Sequence, residues 1–399
     1  MKHKMIYADH AGTTAVTPKA LEAMLPYFTQ GYGNPSSLYA FGQQAKSDLE
    51  QARATVARCL NAQPEEIYFT SGGTEADNWA LRGVAELMAL KGKKTGHIIT
   101  TAIEHHAILH TAQWMEKQGY EVTYLPVDGE GRVDPAAVEA AIRPDTILIS
   151  VMAANNEIGT IEPIAEIGAI AKAHKVLFHT DAVQAVGHIP VDVQAWNVDL
   201  LSLSGHKFGG PKGVGALYMK KPLRLPALIQ GGGQEKGRRS GTENVPGAVG
   251  LAAALREAVD HLAEESARLA GLRDQLLEGL TKLPYAKVTG SRSQRLPGTA
   301  SFVFEGVGGE ALLLHLDAKG ICASSGPACS SPSLDPSHVL LAIGLPHAIA
   351  HGSLRLSLGP DNTQEDVAYI LKEVPVVVNY LREMSPVWDK DAQKPTWVL

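Results

Sequence analysis

The sequence predicts an α/β fold: a large unit on a mainly parallel sheet covered by helices on both faces, and a smaller α/β unit. Three observations predict it. From Ile67 to Tyr218, short apolar runs alternate with stretches whose apolar residues recur every three or four positions, the strand–helix–strand order of a doubly covered parallel sheet. Most of those runs end in small polar residues, and an open α/β sheet binds its ligand beyond the carboxyl ends of its strands. A predominantly helical stretch, 247–282, then separates them from a second set of strand-like runs. The 399 residues suffice for two such units. We place the large one at 16–260 and assemble the small one from 1–15 and 261–399.

Composition excludes several classes of function. Hydrophobic residues make up 45% and charged residues 20%, with a formal net charge of -6, which is ordinary for a soluble globular chain. There is no basic tract of the kind that tracks a nucleic-acid backbone. No apolar run is long enough for a bilayer. No signal-peptide core follows Met1–Ile6, so the cytoplasm is the expected location. Cys59, Cys322 and Cys329 form no Cys-x-x-Cys pair, which argues against a disulfide framework or thiolate zinc site. No metal is expected.

In chain order, Ile6-Tyr7-Ala8 makes at most an edge strand, and Asp9–Thr14 reads as a plain turn or as a pocket lining. Pro18 opens a helix to about Phe28. Residues 43–60 are helical, with Ala45, Leu49, Ala52, Val56 and Leu60 on one face and Cys59 beside it as a buried, inert thiol. The strand Ile67–Phe69 turns through Gly72-Gly73 into a helix reaching about Leu90. Free N–H groups and the dipole at such a helix start attract an anion, and Thr74 adds a hydroxyl. The stretch has neither Gly-x-Gly-x-x-Gly nor a P-loop lysine, so a nucleotide is not the favoured anion.

The strand His97–Thr101 leads to Glu104-His105-His106. Adjacent helical residues point about 100° apart, so one of the two histidines should face the site. Helix 107–118, strand 121–125 and helix 134–141 follow. The apolar strand Thr146–Met152 ends near Asn155 and Asn156, whose amides can hold a substrate or cofactor oxygen. After helix 163–174, the strand Val176–His179 runs into Asp181 and Gln184. The last third reads as strands 286–289, 299–304, 320–323 and 354–358, covered by helices 309–317 and 363–382, and a tail, 386–399, without clear periodicity.

Lys207 carries the chemical reading. It lies in Ser204–Gly213, a polar, glycine-rich connection between the runs Val198–Leu203 and Val214–Tyr218. Small residues there leave room for a ring under a lysine. A pyridoxal phosphate enzyme needs such a lysine, to condense with the aldehyde and to move protons at the substrate α-carbon. Taken alone, the stretch equally fits a solvated surface turn. Asp181 either caps a helix or keeps a pyridine nitrogen protonated, and Gln184 is placed to reach the ring oxygen. The polar connection 231–244 suits phosphate contact or a subunit boundary. Cys329 sits in a loop of small and polar residues, Ser324–Leu334, the surroundings of an accessible thiol. Cys322 lies in a strand and reads as inert. Arg355, alone among apolar strand residues, needs an acceptor, and a substrate carboxylate suits its fork.

Asp9–Thr14, Ser71–Glu75, Glu104-His105, Asn155–Gly159, His179–Gln184, Ser204–Gly213, Arg239–Thr242, the Cys329 loop and Ser353–Ser357 occur in an order that resembles the cysteine desulfurases. These are the NifS/IscS-like group of class V aminotransferase-fold enzymes, and the resemblance runs from Tyr7 to about Leu381. It implies the type I fold of pyridoxal-phosphate-dependent transferases, whose large domain holds a mainly parallel seven-stranded sheet. It also implies pyridoxal 5'-phosphate joined covalently to Lys207, with Asp181 on its nitrogen, Gln184 on its ring oxygen and His105 stacked on and acting at the ring. Thr74, Ser204 and His206 would bind the phosphate, together with Thr242 from the other subunit of a homodimer. Asn156 and Arg355 would hold the substrate, L-cysteine, and Cys329 would take its sulfur.

The loop reads Gly326-Pro327-Ala328-Cys329-Ser330-Ser331, with Pro327 where the family often has serine, and Ala15 stands where proline is common. The tail does not resemble the docking tail of the housekeeping enzymes, so an iron–sulfur scaffold and a thiolation enzyme both stay open as the sulfur acceptor. The reaction expected is release of L-alanine with a persulfide left on Cys329. Selenocysteine lyase is the nearest alternative; an aminotransferase of small amino acids would have no use for Cys329.

Overall fold

The computed structural model describes residues 5–326 and 336–397. The expectations for Pro327 and Cys329 lie outside the described residues. The strands are β1 (Ile6–Tyr7), β2 (Ile67–Thr70), β3 (His97–Thr101), β4 (Glu121–Leu125), β5 (Thr146–Ser150), β6 (Leu177–Asp181), β7 (Leu200–Ser204), β8 (Gly215–Met219), β9 (Ala286–Val288), β10 (Thr299–Phe304), β11 (Ile321–Cys322) and β12 (Ser353–Ser357). A seven-stranded sheet has the order β2-β8-β7-β6-β5-β3-β4. Only β8 runs against its neighbours; the pairings among β3 to β7 are parallel. The reason is local. β7 and β8 are joined by a tight connection, whereas β3, β4, β5 and β6 are reached through helices, and parallel strands need such crossovers.

Alternation along the inner strands explains the two covered faces. Leu201 and Leu203 of β7 join a core with Phe178, helix Ala40–Cys59 and helix Val245–Asp260. Leu200 and Leu217 face the opposite way, onto Trp79, Leu81 and Val84 of helix Gly73–Leu90. Both faces are dry, so the strands read as nearly continuous apolar runs.

The expected helical stretch 247–282 is two helices, Val245–Asp260 and Leu262–Leu280, broken at His261. The first packs on the large sheet. The second sends Leu269, Leu272, Leu276 and Leu280 into another core, with the antiparallel sheet β12-β10-β9 and helices Gly309–Asp317 and Gln364–Met384. Ile6 and Ala8 belong to that second core, and β1 pairs in parallel with β11. The chain therefore starts in the second core and crosses to the first. The tail is more regular than its sequence suggests: Trp388–Asp389 pairs with Lys394–Pro395, and the Arg382 guanidinium lies 4.1 Å from the Trp388 ring centre. Among the described residues, no helix is long and apolar enough to cross a membrane.

Candidate active site

A cavity of ≈ 720 Å³ opens beyond the carboxyl ends of β6 and β7. Thr74, His105, Asn156, Asp181, Gln184, Ser204, His206, Lys207 and Arg355 all line it. Thr242 does not, and is exposed. Gly326, which precedes the segment carrying Cys329, is also part of the wall.

Each strand end delivers its residue directly. β6 finishes on Asp181, whose carboxylate accepts the Val183 N–H at 2.9 Å. β7 finishes on Ser204, and one 3-10 turn, Gly205–Lys207, then presents His206 and Lys207. That turn is held tight by the Gly205 N–H on Val214 O at 3.0 Å and the Gly210 N–H on Gly205 O at 2.9 Å. The Asp9–Thr14 loop arrives from the second core. Lys207 Nζ donates to Ala11 O at 2.6 Å and Gly12 O at 2.8 Å. Gln184 Nε2 donates to Ala11 O at 3.0 Å, and His206 Nδ1 lies 3.1 Å from Thr13 Oγ1. The loop thus lines the pocket and is not a plain turn.

One end of the cavity suits an anion. Helix Gly73–Leu90 has Gly72 at its N-cap and no side-chain cap, so its first-turn N–H groups are left for a ligand. Thr74, Ser204 and His206 surround this helix start, and a neighbouring cavity of ≈ 430 Å³ shares them with Lys212.

The opposite charge pattern holds deeper in. Burial, reinforced by the Lys207 cation, pushes the His105 pKa down to about 4, so its ring is neutral. Asp77, which sequence reasoning passed over, is buried with ligand-capable atoms within 4.8 Å of those of His105 and Asp181. Burial and the neighbouring Asp181 raise the Asp77 pKa. Burial also raises Asp181, but the Val183 N–H and Lys207 oppose it. Of the pair, Asp77 is therefore the readier to hold a proton and Asp181 the readier to carry the negative charge. Asp77 Oδ1 has no hydrogen-bond partner among the described residues. Behind the pair, His179 sits between Ser150 Oγ at 2.9 Å and Ser202 Oγ at 3.0 Å, and burial takes its pKa to about 3. The available signal for Asp77 was a charged residue beside Ala76, Trp79 and Ala80 on the apolar face of its helix.

These residues fit pyridoxal 5'-phosphate: an uncapped helix start with hydroxyls for the phosphate, a lysine, and a buried carboxylate where a protonated ring nitrogen would sit.

Arg355 occupies the other side of the cavity. Its Nη2 donates to Asp9 Oδ1 at 2.7 Å and its Nη1 to Asn156 O at 2.8 Å. The acceptor that the sequence demanded of a substrate is already supplied in part by Asp9. The two adjacent histidines also depart from expectation, since both line the cavity. His105 is the N-cap of helix His106–Glu116, with extended backbone at φ -61 and ψ 148, so the helical angle between neighbours does not apply. His338 joins them, its ring centre 4.8 Å from that of His106. Glu104 is buried beside this group. It accepts from Thr101 Oγ1 at 2.7 Å and Met152 N at 3.0 Å, and burial raises its pKa to about 8. Cys59 and Cys322 are half-buried, and burial raises both thiols.

The class-V aminotransferase family model matches residues 6–370. The chain is 55% identical over 390 residues, 97% of its own length and 98% of the relative's, to a cysteine desulfurase IscS of Clostridium botulinum. It is 56% identical over 390 residues, 98% of its length and 96% of the relative's, to a cysteine desulfurase IscS of Methanosarcina thermophila. A solved NifS-like protein superposes with a TM-score of 0.89 at 41% identity, covering 95% of this chain and 100% of that one. SspA, solved in complex with cysteine, gives 0.79 at 38% identity, covering 90% and 99%.

Proposed function

Because the chain belongs to the class-V aminotransferase family and, within it, to the cysteine desulfurases, we propose that it takes sulfur from L-cysteine, releasing L-alanine and leaving a persulfide on Cys329. One observation carries the reading. A single cavity joins Lys207, Asp181 and His105 to Arg355 and to Gly326, beside the segment that bears Cys329.

Pyridoxal 5'-phosphate, when bound, supplies an electron-withdrawing ring that stabilises negative charge at the substrate α-carbon. The start of helix Gly73–Leu90, Thr74, Ser204 and His206 would hold its phosphate, Asp181 its nitrogen and Gln184 its ring oxygen. Lys207 is the proposed covalent attachment. The neutral His105 ring offers it a flat face. With substrate present, Lys207 carries the α-proton, and Arg355 and Asn156 hold the amino acid, the guanidinium on its carboxylate. The Cys329 thiolate attacks the substrate sulfur. A sulfur–sulfur bond forms, the carbon–sulfur bond breaks with its electron pair left on the β-carbon, and protonation of that carbon together with return of the α-proton from Lys207 completes alanine.

Two further parts of the proposal concern partners. Leu21, Leu25, Phe28, Tyr32, Leu38, Tyr39 and Phe41 are exposed within a short stretch, which supports a homodimer that covers them. Thr242 would then reach the phosphate end of the other subunit's site. The persulfide would pass to a thiol of an acceptor protein, either an iron–sulfur scaffold or a thiolation enzyme. The net charge of -6 disfavours non-specific binding to nucleic acid and to anionic membrane, and the setting proposed is the cytoplasm.

The test is alanine release and cyanide-labile sulfur from L-cysteine. Cys329→Ala should load cofactor normally and lose both products, while Cys322→Ala keeps them. Normal alanine release by Cys329→Ala would overturn the mechanism. Higher catalytic efficiency on L-selenocysteine than on L-cysteine, in the unmutated protein, would favour the lyase reading.

A further inference from the structure

Arg355 is 2% exposed and lines the cavity. A guanidinium so buried requires an anion, and the structure supplies one from the far end of the chain. Asp9 is carried there by an isolated bridge to Ser357 on β12, and Ser357 Oγ accepts the Ala11 N–H at 2.9 Å. The contact occupies a particular edge of the fork. Nη1 is spent on the Asn156 carbonyl and Nη2 on Asp9 Oδ1, while the buried Nε has no hydrogen-bond partner among the described residues. Nε and Nη2 form the side edge of the guanidinium, a pair of parallel N–H donors that a carboxylate takes with both oxygens. Asp9 holds one member of that pair and leaves the other open.

The second Asp9 oxygen lies over its own turn. A Cβ placed on Gly12 would come within 2.6 Å of Oδ2, so only glycine lets the carboxylate fold back there. The same turn presents the Ala11 and Gly12 carbonyls to Lys207.

We propose that Asp9 is an exchangeable counter-ion: it keeps Arg355 aimed into the cavity while the site is empty and cedes Nη2 to the α-carboxylate of the incoming amino acid. Asp9 is a positioning residue in this scheme, and the inference rests on the reading of Arg355 as the carboxylate binder. Two carboxylates cannot share one edge without repulsion. The charge of Asp9 therefore weakens binding of the substrate carboxylate and of the alanine carboxylate alike, which favours product release.

Asp9→Asn keeps the shape and an acceptor oxygen but removes the charge. On the cofactor-loaded enzyme it should lower KM for L-cysteine and Kd for L-alanine by about threefold to tenfold. Kd for ethylamine, which lacks the carboxylate, should not move. Asp9→Glu, which retains the charge, should not reproduce the tightening. Should Asp9→Asn not fold, Asp9→Ser offers a shorter neutral acceptor for the same comparison. An unchanged or increased ratio of L-alanine to ethylamine Kd would overturn the proposal. Arg355→Lys separates this from failure of the underlying reading. If it weakens L-alanine and not ethylamine, Arg355 is the carboxylate binder and the Asp9 result stands on its own; if it affects neither, the assignment of Arg355 falls first.

Discussion

A methyl group added at Gly73 tests the anion end of the site. A Cβ there would lie 2.6 Å from Val183 Cγ2 and 3.7 Å from Ser204 Cβ, against ordinary contacts of 3.4–4 Å. Gly73→Ala must therefore turn the Val183 side chain, or move the helix start away from it, by roughly 1 Å at the wall of the cavity that both residues line. The Val183 N–H is bonded to Asp181 Oδ1 at 2.9 Å and Gln184 follows it, so a shift of the Val183 backbone is felt at both residues. The displacement reaches both the helix N–H groups and the carboxylate at the ring end. Overpacking of this kind costs about 1–3 kcal/mol. If the loaded state bears that cost, cofactor affinity falls by roughly 5- to 150-fold. The assay is titration of the cofactor-free protein with pyridoxal 5'-phosphate by absorbance, with Tm measured in both states. Gly73→Ala/Val183→Ala removes the clashing methyl and should recover most of the affinity. Normal cofactor binding by the single variant, or a double variant no better than the single, would refute the steric argument.

Lys207→Ala should abolish turnover and the borohydride-sensitive visible absorbance; retention of both would disprove the lysine assignment. Burial raises Glu104 from an ordinary 4.5 to about 8, so its stabilising contribution is complete below the ordinary value and is lost as pH rises through about 8. Tm of Glu104→Gln relative to the unmutated protein should accordingly climb between about pH 4.5 and pH 8 and level off above that, and parallel Tm curves would show that Glu104 does not titrate there. Thr242→Val should weaken cofactor retention although Thr242 is absent from its own subunit's cavity wall, and full activity of a monomer at assay concentration would contradict a shared site.

Lys207, Asp181, Gln184 and Ser204 were legible because each ends a strand or lies within three residues of its end, and the end of an apolar run is marked locally by small and polar residues. The same local grammar placed Thr74 at a helix start. It could not show that His105 is an N-cap and not a helical residue, since that depends on backbone angles a few residues wide that helix periodicity does not encode. Nor could it show the break at His261 that sends two halves of one helical stretch into different cores.

The sequence by itself determined the order of strands and helices, and hence which residues stand at strand ends over the cavity. Tertiary structure alone decided which distant groups meet there. Asp9 and Arg355 are 346 positions apart and share a hydrogen bond, and Asp77 and Glu104 owe their raised pKa values to burial. Periodicity is a property of neighbours along the chain, whereas desolvation and ion pairing sum over every segment that closes around a group, and no local pattern contains that sum.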